Sequence, residues 1–286
     1  MSTSIQSAIW RPAASEGDAR AQPAADSVKL RVEDATRYYH TSTGSVHALE
    51  SVSFDVRAGE MVCVLGPSGC GKTTLLWSMA GLHPLTSGRI LIDGASVTKP
   101  HPKVAMMFQE ANLLPWRSLI RNIELPFEIK YLKVADHRER IDALLQRVGL
   151  AGFDHKYPRE LSGGMQQRAS IVRSLAVDPS IMLMDEPFGA LDAFTRDEMN
   201  LLIQRIWMDT GKTIVFITHN IAEAIFLGDR IVVLSPRPGR LSRIFSIDFE
   251  RPRQLDLVTK PHFIELLVEI KRSIDHSGGK GTSAVD

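Results

Sequence analysis

The strongest chemical signal in the sequence is Gly66-Pro67-Ser68-Gly69-Cys70-Gly71-Lys72-Thr73, which fits G-x-x-x-x-G-K-[ST] at every fixed position. Glycines let backbone N–H groups turn inward around an anion without Cβ clashes. A helix opening at the end of such a loop adds unpaired N–H groups and the positive end of its dipole. Lys72 supplies a point charge for β- and γ-phosphates, the Thr73 hydroxyl can ligate Mg²⁺, and Thr74 lies toward the α-phosphate. A second signal is Ile181-Met182-Leu183-Met184-Asp185-Glu186. A strand buried on both faces carries no charge until its carboxyl end, where α/β sheets keep their ligand crevice. Asp185 is placed there to bind Mg²⁺, and Glu186 to act as general base toward a water attacking the γ-phosphate.

The elements that must position these residues can be read from pattern. Met61–Leu65 is a short apolar run ending in Gly66, as a buried parallel strand should be. Residues 71–80 follow as a helix stopped by Gly81 and Pro84. Residues 28–31, 46–56, 89–92, 104–108, 181–184, 213–217 and 231–234 read as strands. Residues 164–176, 192–209 and 221–227 read as helices, with Met199, Leu202, Ile203 and Ile206 on one stripe. Residues 119–150 show one helical pattern that Gly149 can end, and Ile141, Leu144, Leu145 and Val148 share a face. Strands alternating with helices predict an α/β fold with a mostly parallel sheet. The expected organisation is a flexible tail over 1–27, a nucleotide-binding domain over 28–250 with a helical subdomain at about 110–160, a helical extension over 251–276 and a flexible tail over 277–286.

The 286 residues are 44% hydrophobic and 23% charged, the balance of an ordinary folded soluble protein. A net charge of +1 gives no global field for nucleic acid or anionic lipid, and Arg237, Arg240 and Arg243 read as a solvated edge. Cys63 and Cys70, the two cysteines, read as reduced thiols of a cytosolic protein. No apolar run approaches the roughly 20 residues that span a bilayer, so a membrane role must come through a partner.

Leu161-Ser162-Gly163-Gly164-Met165-Gln166-Gln167-Arg168 resembles the LSGGQ signature of the ABC ATPase family, with Met165 where Gln is commonest. The resemblance covers about residues 28–250 and implies a P-loop ATPase core with an antiparallel β subdomain and a helical insertion. It implies ATP and Mg²⁺ as ligands. It also implies that Ser162, Gly163 and Gly164 of one copy close over the ATP held by a second copy. In the family's order, Gln109 resembles the Q-loop glutamine that senses Mg²⁺ and the γ-phosphate, and Gly189-Ala190-Leu191-Asp192 resembles the D-loop, usually SALD. His219 in Thr218-His219-Asn220 resembles the switch histidine, and Asn220 replaces the usual Asp while keeping an N-cap side chain. Tyr39 is similar to the aromatic that stacks on adenine, with Tyr38 as its competitor.

Residues 108–117, 185–192 and Ser235-Pro236-Arg237-Pro238-Gly239-Arg240 are most similar to importers of nitrate, alkanesulfonates and taurine. That branch implies peripheral attachment at the cytoplasmic face of the inner membrane, to integral permease subunits served by an extracytoplasmic solute-binding protein, and no nucleic-acid partner. Leu113, Leu114 and Trp116 then either receive the coupling helix of a permease or pack inside the helical subdomain. A pyrimidine or thiamine-precursor importer has very similar ATPase subunits. A soluble ABC ATPase of translation or DNA repair is a rival role, although those commonly carry two cassettes or a long coiled-coil arm.

Overall fold

Alternate residues of the short apolar strands face two different cores, and this decides the layering. The computed structural model describes residues 27–42 and 44–277, so the expected tails at 1–27 and 277–286 lie outside the described residues except for Ser27 and Ser277. In chain order the strands are β1 (Val28–Thr41), β2 (Gly44–Arg57), β3 (Met61–Leu65), β4 (Ser87–Ile92), β5 (Ala95–Ser96), β6 (Val104–Met107), β7 (Ile181–Asp185), β8 (Thr213–Ile217), β9 (Arg230–Leu234) and β10 (Leu241–Ser246). The helices are α1 (Lys72–Met79), α2 (Leu119–Ile129), α3 (Arg138–Arg147), α4 (Gly163–Ala176), α5 (Ala193–Thr210), α6 (Ile221–Leu227) and α7 (Pro261–Ser277).

One sheet has the order β10-β9-β3-β8-β7-β6, parallel from β9 to β6, with β10 antiparallel at its edge. Val62, Val64, Leu183, Val215 and Val232 point to one side. There they pack with Leu75, Leu76 and Met79 of α1 and with the four-stranded antiparallel sheet β2-β1-β4-β5. Cys63, Met182, Met184, Phe216 and Ile231 point to the other side, against residues of α2 to α7. Helix α1 therefore lies between two sheets, and its first residue follows directly from the central strand β3 through the glycine-rich loop. This is the α/β architecture expected from the sequence.

Besides the short added strand β5, three elements differ from the sequence reading. β1 runs through Thr41 rather than ending at Arg31, because register shifts between Val32 and Tyr38 and a positive φ of 49° at Asp34 break the simple alternation. The helical stretch over 119–150 is two α-helices parted near Tyr131, whose φ is +54°. β10 is an extra edge strand, with only Phe245 fully buried along it. α4 packs against α2 and α3, so the helical layer continues past residue 160 into the signature helix. Phe263 and Ile270 of α7 are buried against the core below α6 and β9.

Candidate functional site

Parallel strands deliver their carboxyl ends to one edge, and the candidate residues lie along it. In register, Val64 of β3 pairs Ile217 of β8, Ile217 pairs Asp185 of β7, and Met184 pairs Met107 of β6. Just beyond these pairs stand Gly66, His219, Glu186 and Gln109 respectively. Four adjacent strands thus bring a glycine, a histidine, a glutamate and a glutamine to one sheet edge.

The loop from Gly66 to Thr73 wraps closely enough to exclude a Cβ at its first and third glycines. Gly69 and Gly71 have φ of +74° and +101°, which L residues rarely adopt. A Cβ on Gly71 would also come within 2.7 Å of the Ala48 carbonyl. Lys72 is buried and donates from Nζ to the carbonyls of Gly66 (2.8 Å) and Pro67 (3.0 Å), so its ammonium lies across the mouth of the loop. Ser68 and Gly69 are exposed, while Cys70 turns inward. Burial raises the Cys70 thiol above its ordinary value, opposed by the Lys72 charge, so it is an inert packing group there. Cys63 is likewise free and buried, its thiol raised by desolvation.

Thr73 donates from Oγ1 to Asp185 Oδ1 at 3.2 Å. Burial pushes the Asp185 carboxyl above its ordinary value, the Thr73 hydrogen bond opposes this, and the Glu186 charge adds to it. A buried carboxylate with a single hydroxyl partner and a like charge beside it is poised to gain a cation. Oxygens at neighbouring corners of an octahedral Mg²⁺ lie about 3 Å apart at the ordinary ligand distance. The Thr73–Asp185 separation matches that, and both donors are hard oxygens.

Glu186 stands in the left-handed region at φ 45°, a strained position for a residue with a Cβ. Its amide donates to the Ile217 carbonyl (3.0 Å), and its Oε2 lies 2.8 Å from His219 Nδ1. A Cβ added at Gly189 would meet Gln109 Nε2 at 3.5 Å and Glu186 Oε2 at 3.8 Å, so the glutamine amide and the carboxylate flank this glycine. Asn220 caps α6 by accepting from the Glu223 amide (3.2 Å).

Tyr39 and Tyr38 separate. Tyr39 donates its hydroxyl to Thr74 Oγ1 (3.3 Å) beside the phosphate loop, with Arg37 over one ring face at 4.6 Å. Tyr38 stacks on His47 with centroids 3.9 Å apart. Tyr39 is therefore the one joined to the nucleotide-side helix.

Ser162 caps α4, accepting from the Met165 amide at 3.3 Å. Asp192 caps α5, accepting from Thr195 N (3.0 Å) and Thr195 Oγ1 (2.7 Å). Ser162, Gly163, Gly164 and Asp192 line one cleft of about 380 Å³, which the phosphate-loop residues do not line. The signature and phosphate-loop residues of one copy thus do not share a cleft.

Several positioning residues escaped the sequence reading. Arg173 on α4 donates to the carbonyls of Ala111 (2.6 Å) and Asn112 (2.8 Å), tying the signature helix to the segment after Gln109. Buried Asn122 holds the next turn through Leu114, Arg117 and Ser118. Leu113 packs against the core, whereas Trp116 is 70% exposed beside a cleft of about 560 Å³ lined by Arg117, Arg121, His155 and Tyr157. Arg237 donates to the Gly69 carbonyl (3.1 Å), Arg240 pairs with Glu50 and Arg243 with Glu269. All three arginines are exposed, so the edge is solvated as expected, and each also has a partner within the chain. Only proximity in space reveals these; no local pattern marks them.

Comparison with known proteins places this geometry. The family described as ABC transporter matches residues 49–189. The taurine import ATP-binding protein TauB of Rhizobium johnstonii is 46% identical over 254 residues, covering 87% of this chain and 97% of that one. The aliphatic sulfonates import ATP-binding protein SsuB of Bacillus thuringiensis is 40% identical over 251 residues, with the same coverage of 87% and 97%. Among solved structures, a dimeric ATP-binding cassette in a post-hydrolysis state bound to ADP and Pi aligns with a TM-score of 0.68 and 31% identity, over 77% of this chain and 100% of that one. The chain belongs to the ABC transporter family, as one of its ATP-binding proteins.

Proposed function

We propose that this chain is the ATP-hydrolysing subunit of an ABC importer for a small anion of the sulfonate, taurine or nitrate kind. Two copies sandwich two ATP molecules, peripherally attached to permease subunits at the cytoplasmic face of the cell membrane. The observation that carries this is the pairing of Thr73 with Asp185 and of Glu186 with His219 on one sheet edge, while the Ser162–Asp192 cleft stands elsewhere. A nucleotide on the phosphate loop then meets the signature of a second copy, since its own signature residues line a different cleft. The relatives named for taurine and sulfonate import support the cargo class, and the dimeric cassette supports the pairing.

Thr73 and Asp185 would hold Mg²⁺ together with phosphate oxygens; when bound, the ion neutralises charge on the β- and γ-phosphates. Lys72 exchanges its two carbonyl partners for phosphate oxygens. Glu186 accepts the proton of the attacking water, and His219, hydrogen-bonded to Glu186, donates to the γ-phosphate. Gln109, flanking Gly189 with Glu186, reports the same phosphate to the 110–117 segment held by Arg173 and Asn122. Binding free energy that favours the closed pair over the open one drives the motion. Exposed Trp116 and its cleft form the surface that receives a permease segment. A solute-binding protein outside the cell delivers cargo to the permease.

Glu186→Gln tests the base. The variant should retain Mg-ATP and lose at least about a hundredfold in turnover, the lower range for a general base. Unimpaired turnover by the variant would remove Glu186 from this role.

A further inference from the structure

Helix α6, which follows His219, is only seven residues long, so internal hydrogen bonds alone do little to hold it. Its far end is gripped instead. Arg253, 2% exposed, donates from Nη1 to the carbonyls of Ile225 (2.9 Å), Phe226 (3.0 Å) and Gly228 (2.7 Å). Its Nε donates to the Phe249 carbonyl (3.2 Å). Arg251 takes the remaining carbonyl, Leu227, together with Asp229, and lies over the Trp207 ring of α5 at 4.1 Å. Two guanidinium groups thus satisfy the open carbonyls of α6 and complement the negative end of its dipole. Burial and the neighbouring Arg251 charge pull the Arg253 guanidinium down to about 10, so it stays charged at neutral pH.

The backbone of Arg253 is held as well. Gln204 of α5, 1% exposed, accepts from the Arg253 amide (2.8 Å) and donates to its carbonyl (2.8 Å). α5 opens at Asp192 and α6 opens just after His219. One residue from the C-terminal extension therefore joins the two helices whose opposite ends carry the D-loop-like aspartate and the switch-like histidine.

We infer that Arg253 is a positioning residue for ATP hydrolysis, fixing the axis of α6 and hence the reach of His219; this rests on the role given above to His219. A helix tilt that displaces His219 by an ångström costs catalysis, and the hydrogen bonds of Arg253 themselves reach neither α1 nor the phosphate loop.

The test is a double-mutant cycle on the full chain with saturating Mg-ATP. Arg253→Met should lower kcat by about tenfold to a hundredfold. It should leave the Kd for Mg-ADP within about twofold. Arg253→Lys should restore part of kcat, since one ammonium can replace only some of the fork. In the His219→Ala background, Arg253→Met should cost almost nothing more. Should Arg253→Met not fold, Gln204→Leu, which cuts only the tie to α5, takes its place in the cycle with the same expected non-additivity. Full additivity, or an unchanged kcat in folded Arg253→Met, would overturn the inference. A His219→Ala enzyme turning over at the wild-type rate would instead overturn the role of His219, and the inference with it.

Discussion

Gly239→Ala separates steric support of the phosphate loop from its chemistry. A Cβ at Gly239 would stand 2.1 Å from the Cys70 carbonyl oxygen, far inside van der Waals contact. Gly239 cannot retreat easily: its amide donates to the Ala48 carbonyl (3.0 Å) and its carbonyl accepts from the Glu50 amide (2.9 Å). Its own φ is not in the left-handed region, so the backbone tolerates alanine and the whole effect is contact. The loop must yield by about 1 Å to reach a normal carbon–oxygen separation. A shift of that size removes at least one backbone N–H from the phosphates, and a charge-assisted hydrogen bond contributes about 1.5–3 kcal/mol. The expected result is a Kd for Mg-ATP weakened by about tenfold to a hundredfold, read by titration with a fluorescent ATP analogue. Gly94→Ala is the control. Its φ is +78°, but nothing lies within 4 Å of the added Cβ. It should lose about 1–2 kcal/mol of stability from conformation alone and bind nucleotide normally. Wild-type affinity in folded Gly239→Ala would refute the claim that this close approach shapes the loop.

Tyr39→Ala should weaken ATP binding by about 1–3 kcal/mol, the range for base–aromatic stacking. Tyr38→Ala, already stacked on His47, should change it far less, and equal effects in titration would contradict the assignment. Glu223 is buried beside Thr218, Asn200, Arg196 and His219, and burial raises its carboxyl above the ordinary value of 4.5. Between that value and the folded pKa the native state holds the extra proton, so native stability falls as pH rises. Glu223→Gln should therefore gain stability over wild type as pH increases above 4.5, measured by thermal melting across pH. A pH-independent difference would show that the carboxyl titrates alike in the native and unfolded states, and would contradict the raised native value. Ser162→Ala should lose about 1 kcal/mol of stability as a helix cap and also slow hydrolysis, measured by phosphate release. Normal turnover would free Ser162 of its place at the nucleotide.

Much of the site was legible because its chemistry is local in sequence. The phosphate loop needs glycines at fixed steps after a strand, and Met61–Leu65 followed by Gly66 to Thr73 displays strand, loop and helix within thirteen residues. Asp185 was legible because a carboxylate that closes a run of four buried apolar residues must come out at the carboxyl edge of the sheet, where the crevice lies. The long β1 was not, because its bulges break the alternation on which strand reading depends. β10 was missed for another reason: Leu241–Ser246 is a mostly exposed edge strand with little apolar pattern. Arg237 read as part of a solvated edge in the sequence, and no pattern singled out Arg173 or Arg253. Each donates to main-chain carbonyls far along the chain, a role that carbonyl geometry assigns and residue type alone does not. Trp116 and Leu113, taken together in the sequence, part in the structure, one outward and one toward the core.

The central claim is that a complete nucleotide site requires two copies of this chain. Light scattering on the full-length Glu186→Gln protein tests it most directly, comparing the nucleotide-free form with saturating Mg-ATP. The expected result is a mass near the 31.7 kDa monomer without nucleotide and double that mass with it, reversed when Lys72→Ala is added. A mass that stays at the monomer value while ATP is demonstrably bound would contradict the account.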